Sequence, residues 1–131
     1  MSAPPSTLGI RHVALIVSDL AKAAAFYCDI LGYQVEWRPD CDNLYLTAGG
    51  QDNLALHRGK PAEKETRLDH FGVLLKKSAD VDAWHEHLKA RGAKILKAPK
   101  THRDGARSFY AQDPDGNVLQ FIHHPPIVDR A

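Results

Sequence analysis

The strongest constraint in this sequence is an internal repeat. In the first half, 10–17 reads as a strand, 20–31 as a helix, and 33–38, 43–48 and 53–57 as three short strands split by Pro39-Asp40 and Gly49-Gly50. The second half repeats the order: a strand at 68–76, a helix ending near 91, then strands at 93–97, 107–112 and 117–123. His12 aligns with His70 at an offset of 58 residues, and Gly32 with Gly92 at an offset of 60. Two βαβββ units in 131 residues define an α+β fold class. A half of about 60 residues buries little apolar surface. The repeats 10–57 and 68–124, joined by the charged connector 58–67, are therefore expected to form a single domain over 1–131. Their sheets are expected to pack edge to edge or against a partner chain, with helices on the outer face and a concave, partly open sheet.

Local signals support the helices. Ser18-Asp19 supplies an N-cap, and Leu20, Ala23, Ala24, Tyr27 and Leu31 share one helical stripe. In the second helix, Ser78 or Asp80 is the expected cap, with Val81, Trp84 and Leu88 facing inward. Gly32 and Gly92 stand where left-handed C-terminal caps are wanted. Asp113-Pro114-Asp115-Gly116 has the composition of a tight turn between the last two strands.

Composition removes several function classes. Seventeen Lys and Arg against sixteen Asp and Glu leave a formal charge of +1, without the basic excess that phosphate-backbone binding requires. The longest apolar run, 13–17, is far short of the roughly 20 residues that cross a bilayer. Residues 1–6 show no charged stretch followed by an apolar one, so no secretory signal is expected and a cytoplasmic location is. Cys28 and Cys41 fit no thiol-rich metal or redox spacing; both are expected to be reduced, Cys28 as inert core and Cys41 as a loop thiol. There is no dinucleotide fingerprint, phosphate-loop lysine or nucleophile elbow.

Eight histidines are the unusual entry in the composition. Strand alternation puts Val13, Leu15 and Val17 under the helix and turns His12, Ala14 and Ile16 to the open face. The same alternation turns His70, Gly72 and Leu74 outward in the second repeat, and in the last strand it turns Gln120 outward between core residues Leu119 and Phe121. A lone histidine of this kind more often hydrogen-bonds a nearby carbonyl than binds metal. Two at repeat-equivalent positions, with an amide on the same face, favour a metal site with ligands His12, His70 and Gln120. His57 shares a face with Ala55. It is a candidate catalytic residue, fourth ligand or substrate contact, against the alternative of a strand-end histidine beside Arg58. His85 and His87, two apart, diverge around a helix and read as solvated surface. His123 and His124 mark the strand leaving the sheet. The loop holding His102, Arg103 and Arg107 reads as a connection or as a lid over a carboxylate or phosphate. Tyr45 and Tyr110 are further candidates for the cavity wall.

The segments 12–20, 26–32, 69–73 and 113–120 together resemble the vicinal oxygen chelate superfamily, which includes glyoxalase I, extradiol dioxygenases, fosfomycin-resistance enzymes and bleomycin-binding proteins. The resemblance covers about 10–124. It implies a divalent metal ion (Fe, Mn, Ni, Co or Zn) held by residues at positions 12, 55, 70 and 120. His12 and His70 match that pattern. Ala55 has no ligating side chain, and Gln120 stands where such proteins usually have glutamate. A neutral amide lacks the Coulomb attraction of a carboxylate, so weaker metal affinity is expected than in a relative with the acid. The resemblance also implies a small-molecule substrate chelated through neighbouring oxygens, lyase, isomerase or dioxygenase chemistry, and a homodimer in which His12 and His70 meet across chains. The alternatives are a metal-free sequestering protein of the bleomycin-resistance kind and a degenerate structural relative.

Overall fold

The computed structural model describes residues 4, 8, 10–60 and 68–128, the side chains only as far as 126. Most of the connector (61–67) and most of the N-terminal segment discussed above lie outside the described residues. The chain divides into two compact units, Met1–Pro61 and Ala62–Ala131.

In the first unit, β1 (His12–Val17) is followed by α1 (Leu20–Ala24), a π-helical turn (Ala25–Ile30), β2 (Gln34–Trp37), β3 (Asn43–Thr47) and β4 (Asn53–Arg58). The sheet order is β1-β4-β3-β2, with β1 parallel to β4 and the other pairs antiparallel. Leu15, Val17, Leu44, Leu46, Leu54 and Leu56 are buried, as the alternation requires. Asp19 caps the helix by accepting the Lys22 N–H at 3.0 Å.

The helix departs from the expected 3.6-residue stripe. Leu31 N–H donates to Phe26 carbonyl at 3.0 Å, an i→i−5 bond. The extra residue in that turn brings Phe26, Tyr27 and Leu31 inward together, and Ala24 is only half-buried. Phe26, absent from the stripe read off the sequence, packs edge-on against Tyr27 at 5.0 Å. Gly32 then takes a φ of 83°, and Gly92 a φ of 76° at the equivalent place, a conformation costly for residues with a Cβ.

The second unit repeats the topology. β5 (Phe71–Leu74), α2 (Ser78–Ala90), β6 (Lys94–Thr101), β7 (Arg107–Gln112) and β8 (Val118–His123) give the order β5-β8-β7-β6, with β5 parallel to β8. A short helix, α3 (Pro125–Val128), follows. The outer strands β2 and β6 both carry register shifts, and β6 accommodates Pro99 as an edge strand can.

The cap of α2 lies one residue before Ser78 and three before Asp80, the two expected caps. Lys77 occupies the N-cap position, and Asp80 accepts its backbone N–H at 3.1 Å. Val81 and Leu88 are fully buried and Trp84 partly so. An aromatic stack fixes α2 to its sheet: Trp84 lies on Phe121 at 5.9 Å, and Phe121 on Phe109 at 4.9 Å. His85 corrects the sequence reading. It is not a solvated residue, because its ring sits edge-on against Phe109 at 5.3 Å and its side chain is only 15% exposed.

Candidate functional site

The register of the two sheets gives the candidate residues matching places. In the first unit Ala14 pairs with Ala55 across β1 and β4; in the second, Gly72 pairs with Gln120 across β5 and β8. His12 and His70 each lie two residues before the first member of these pairs. His12 and Ala14 are exposed while Leu15 and Val17 are buried, so the expected facing holds. Ala55 is thus the counterpart of Gln120, and it is a fully buried methyl group.

Each candidate ligand has one polar atom tied down. His12 Nδ1 lies 2.6 Å from Asn53 Oδ1, and Asn53 Nδ2 donates in turn to Glu36 at 3.4 Å. His70 Nδ1 lies 2.6 Å from Asp69 Oδ2. Gln120 Nε2 donates to Ser108 Oγ at 3.1 Å, and the buried Ser108 is also 3.3 Å from His102 Nε2. An oxygen at Nδ1 favours the proton there and leaves Nε2 as the lone-pair nitrogen, the arrangement in which second-shell oxygens orient metal-ligating imidazoles. These contacts use Nδ1 of each histidine and Nε2 of Gln120, so His12 Nε2, His70 Nε2 and Gln120 Oε1 are the atoms they leave for a ligand. The first unit offers one imidazole nitrogen, from His12, and the second an imidazole nitrogen and an amide oxygen, from His70 and Gln120; all are donor types that a divalent ion accepts. These donors differ from a group of three His, Cys, Asp or Glu, and no such group occurs among the described residues.

His57 belongs to a longer chain of contacts. Its Nδ1 is 2.6 Å from Asn43 Oδ1, and Asn43 Nδ2 reaches both carboxylate oxygens of Asp40 at 2.9 and 3.1 Å. The backbone N–H of Asp42 and the Asn43 amide hold the Asp40 carboxyl below the usual carboxylate range, with His57 contributing. Tyr45 meets His57 edge-on at 5.9 Å and stacks on Trp37 at 5.2 Å. In the second unit Tyr110 touches His70 edge-on at 5.3 Å, with Lys97 Nζ 5.3 Å from its ring centre. Both tyrosines therefore adjoin candidate histidines.

Other sequence candidates resolve differently. Arg107 is not available to an anion: it makes a two-pronged bond to Asp82 at 2.9 and 2.7 Å and a third to Thr101. The remaining loop, 100–104, lines a surface depression, and its His102 reaches Ser108, the residue that holds Gln120. His123 Nδ1 is 3.2 Å from Leu75 carbonyl, as suits a strand-end residue. Cys28 is half-buried, and burial pushes its thiol up, the direction of an unreactive sulfur; Cys41 is exposed. The residues that sequence reading missed are Asn53, Asn43, Asp40, Asp69 and Ser108. Only Asp69, adjacent to His70, was locally visible.

Comparison with known proteins agrees with this geometry. The family model described as Glyoxalase/Bleomycin resistance protein/Dioxygenase superfamily matches residues 9–121. The chain is 28% identical to metallothiol transferase FosB of Bacillus licheniformis over 127 residues, covering 94% of this chain and 79% of that protein. It is 31% identical to the uncharacterized protein YaeR of Escherichia coli, covering 85% of this chain and 92% of the other. Among solved structures, the fosfomycin resistance protein FosX of Listeria monocytogenes superposes with a TM-score of 0.76 at 23% identity, over 91% of this chain and 93% of that one. With a duplicated βαβββ topology and a family match across nearly its whole length, this chain belongs to the glyoxalase/bleomycin resistance/dioxygenase superfamily.

Proposed function

We propose that this chain is a metal-dependent enzyme acting on a small oxygenated molecule, of lyase, isomerase, dioxygenase or group-transfer type. The two repeats, 10–57 and 68–124, with connector 58–67, act as one functional domain over 1–131, in a homodimer. His12, His70 and Gln120 are the metal ligands and His57 is the catalytic residue. One observation carries the reading: repeat-equivalent histidines each have Nδ1 anchored at 2.6 Å by a side-chain oxygen, which favours Nε2 as the lone-pair nitrogen, the form a metal ligand needs. The names of relatives such as the metallothiol transferase support the metal.

A divalent ion bound there supplies Lewis acidity to neighbouring substrate oxygens. The protein's own residues do the rest. Asn53 and Asp69 fix the imidazoles in orientation and tautomer, and Ser108 keeps the Gln120 amide from turning its nitrogen outward. Gly72, opposite Gln120, places no side chain beside that amide. Tyr45 and Tyr110 supply apolar ring surface next to polar groups. All three proposed ligands are neutral, so they would leave a bound divalent ion's charge uncompensated, which favours an anionic chelating substrate over a neutral one.

Metal analysis of untagged protein tests this. Stoichiometric Mn, Fe, Co, Ni or Zn that is lost in both His12→Ala and His70→Ala is the expected result. A second reading, a metal-free sequestering protein, is favoured by the methyl of Ala55 at the position equivalent to Gln120. No bound metal at millimolar supply overturns the enzyme reading in its favour.

A further inference from the structure

We propose that His57 is a general base, with Asn43 and Asp40 as positioning residues that hold its proton on Nδ1 and present Nε2 as a fixed lone pair. The proposal rests on the enzyme reading above only for the substrate that His57 would serve.

The orientation of the chain follows from what each group can donate. The ionised Asp40 carboxylate only accepts, so the Asn43 amide nitrogen must face it, at 2.9 and 3.1 Å. The Asn43 carbonyl is then committed to His57, and a carbonyl also only accepts. His57 must therefore donate from Nδ1 across the 2.6 Å contact. A neutral imidazole has one N–H, so Nε2 carries the lone pair. The anchor is itself restrained, because Asp40 also accepts the backbone N–H of Asp42 at 2.8 Å. Asn43 and His57 are register partners on β3 and β4, so the sheet holds the pair in place. The Tyr45 ring packs against the imidazole in a T-shaped contact at 5.9 Å. A strand-end histidine in a merely structural role needs one such bond; here the bonds continue through an amide to a carboxylate.

The chemistry is a single proton transfer. A C–H or O–H bond next to the chelating oxygens of the substrate breaks, its proton moves to Nε2, and its electron pair stays on the substrate as the conjugate base. The imidazolium keeps its Nδ1 proton against Asn43, and the Asp40 charge, transmitted through the amide, stabilises the cation. Returning the proton from Nε2 to product regenerates the neutral ring.

The test uses metal-free full-length protein, so it is independent of the metal analysis. Long-range ¹⁵N–¹H correlation spectra at about pH 8, where an ordinary imidazole is neutral, are expected to show His57 protonated at Nδ1 and not at Nε2. Diethyl pyrocarbonate, which acylates unprotonated imidazole nitrogen, is expected to modify the His57 peptide, as followed by mass spectrometry. Asn43→Leu moves the proton toward Nε2 and slows that acylation several-fold, and Asp40→Ala, which frees the Asn43 amide to turn its nitrogen toward His57, shifts both in the same direction by less. A wild-type His57 carrying its proton on Nε2 overturns the proposal without recourse to any variant, and so does an acylation rate unchanged in Asn43→Leu.

Discussion

Phe109 offers a direct measure of how the core of the second unit supports the candidate site. It is fully buried in β7 between Ser108, which holds Gln120, and Tyr110, which touches His70. Its ring stacks on Phe121 at 4.9 Å with planes 8° apart, and takes the edge of His85 at 5.3 Å. Truncation to alanine removes the transfer free energy of the ring and leaves a cavity, together costing about 3–5 kcal/mol. With a urea slope of about 2 kcal/mol per molar, a 4 kcal/mol loss lowers the midpoint by about 2 M. Phe109→Leu keeps most of the volume but loses the stack, and about 1–2 kcal/mol is expected. Trp84 is the reporter, since it lies on Phe121 in the same stack; Trp37, the other tryptophan, belongs to the first unit and is replaced by phenylalanine in the background. A midpoint shift below about 0.5 M for the alanine variant would mean that this ring is not packed as described, and the placement of Ser108 and Tyr110 would lose its basis.

Three further outcomes follow from particular contacts. Gln120→Glu adds a carboxylate to a neutral donor set and is expected to tighten Mn²⁺ binding about tenfold or more; equal or weaker affinity in a competition titration would remove Gln120 from the ligand set. Asp82 is held below the usual carboxylate range first by its hydrogen bonds from Arg107. Its stabilising effect is therefore complete above the unfolded pKa of about 4 and is lost as pH falls through the lower folded value, so Asp82→Asn should be slightly less stable at neutral pH and flatter in acid unfolding. Burial, with Asp52 beside it, pushes the Tyr33 phenol up to about 12. Because the unfolded chain ionises this group at about 10, stability should fall as pH rises from there toward the folded value. Tyr33→Phe should abolish that alkaline loss, as measured by thermal unfolding across the range, and cost about 1 kcal/mol at neutral pH for the lost hydrogen bond.

The duplicated fold was legible because its signals are local. Alternation in 10–17 and 117–123 sorted His12 and Gln120 from Val17 and Phe121, and glycines at 32 and 92 marked the helix ends. The helix 20–31 was found but its face was misjudged at Phe26, since a π turn is set by core packing and not by periodicity. His85 was misread for a related reason: its surroundings on α2 depend on where Phe109 lies in a strand more than twenty residues away.

The candidate site divides along the same line. Residue types and strand parity were enough to single out His12, His70, Gln120 and His57. Which atom of each is committed, and to what, depends on strand register: Asn53 stands beside His12 because β1 runs parallel to β4, and Asn43 beside His57 because β3 is paired to β4. Hydrogen bonds between residues 14 or 41 positions apart leave no periodic trace in a chain. Hydrophobic burial follows local pattern, so sequence alone determined the architecture; the direction of a proton on an imidazole follows its non-local partner, and only the folded sheet decided that.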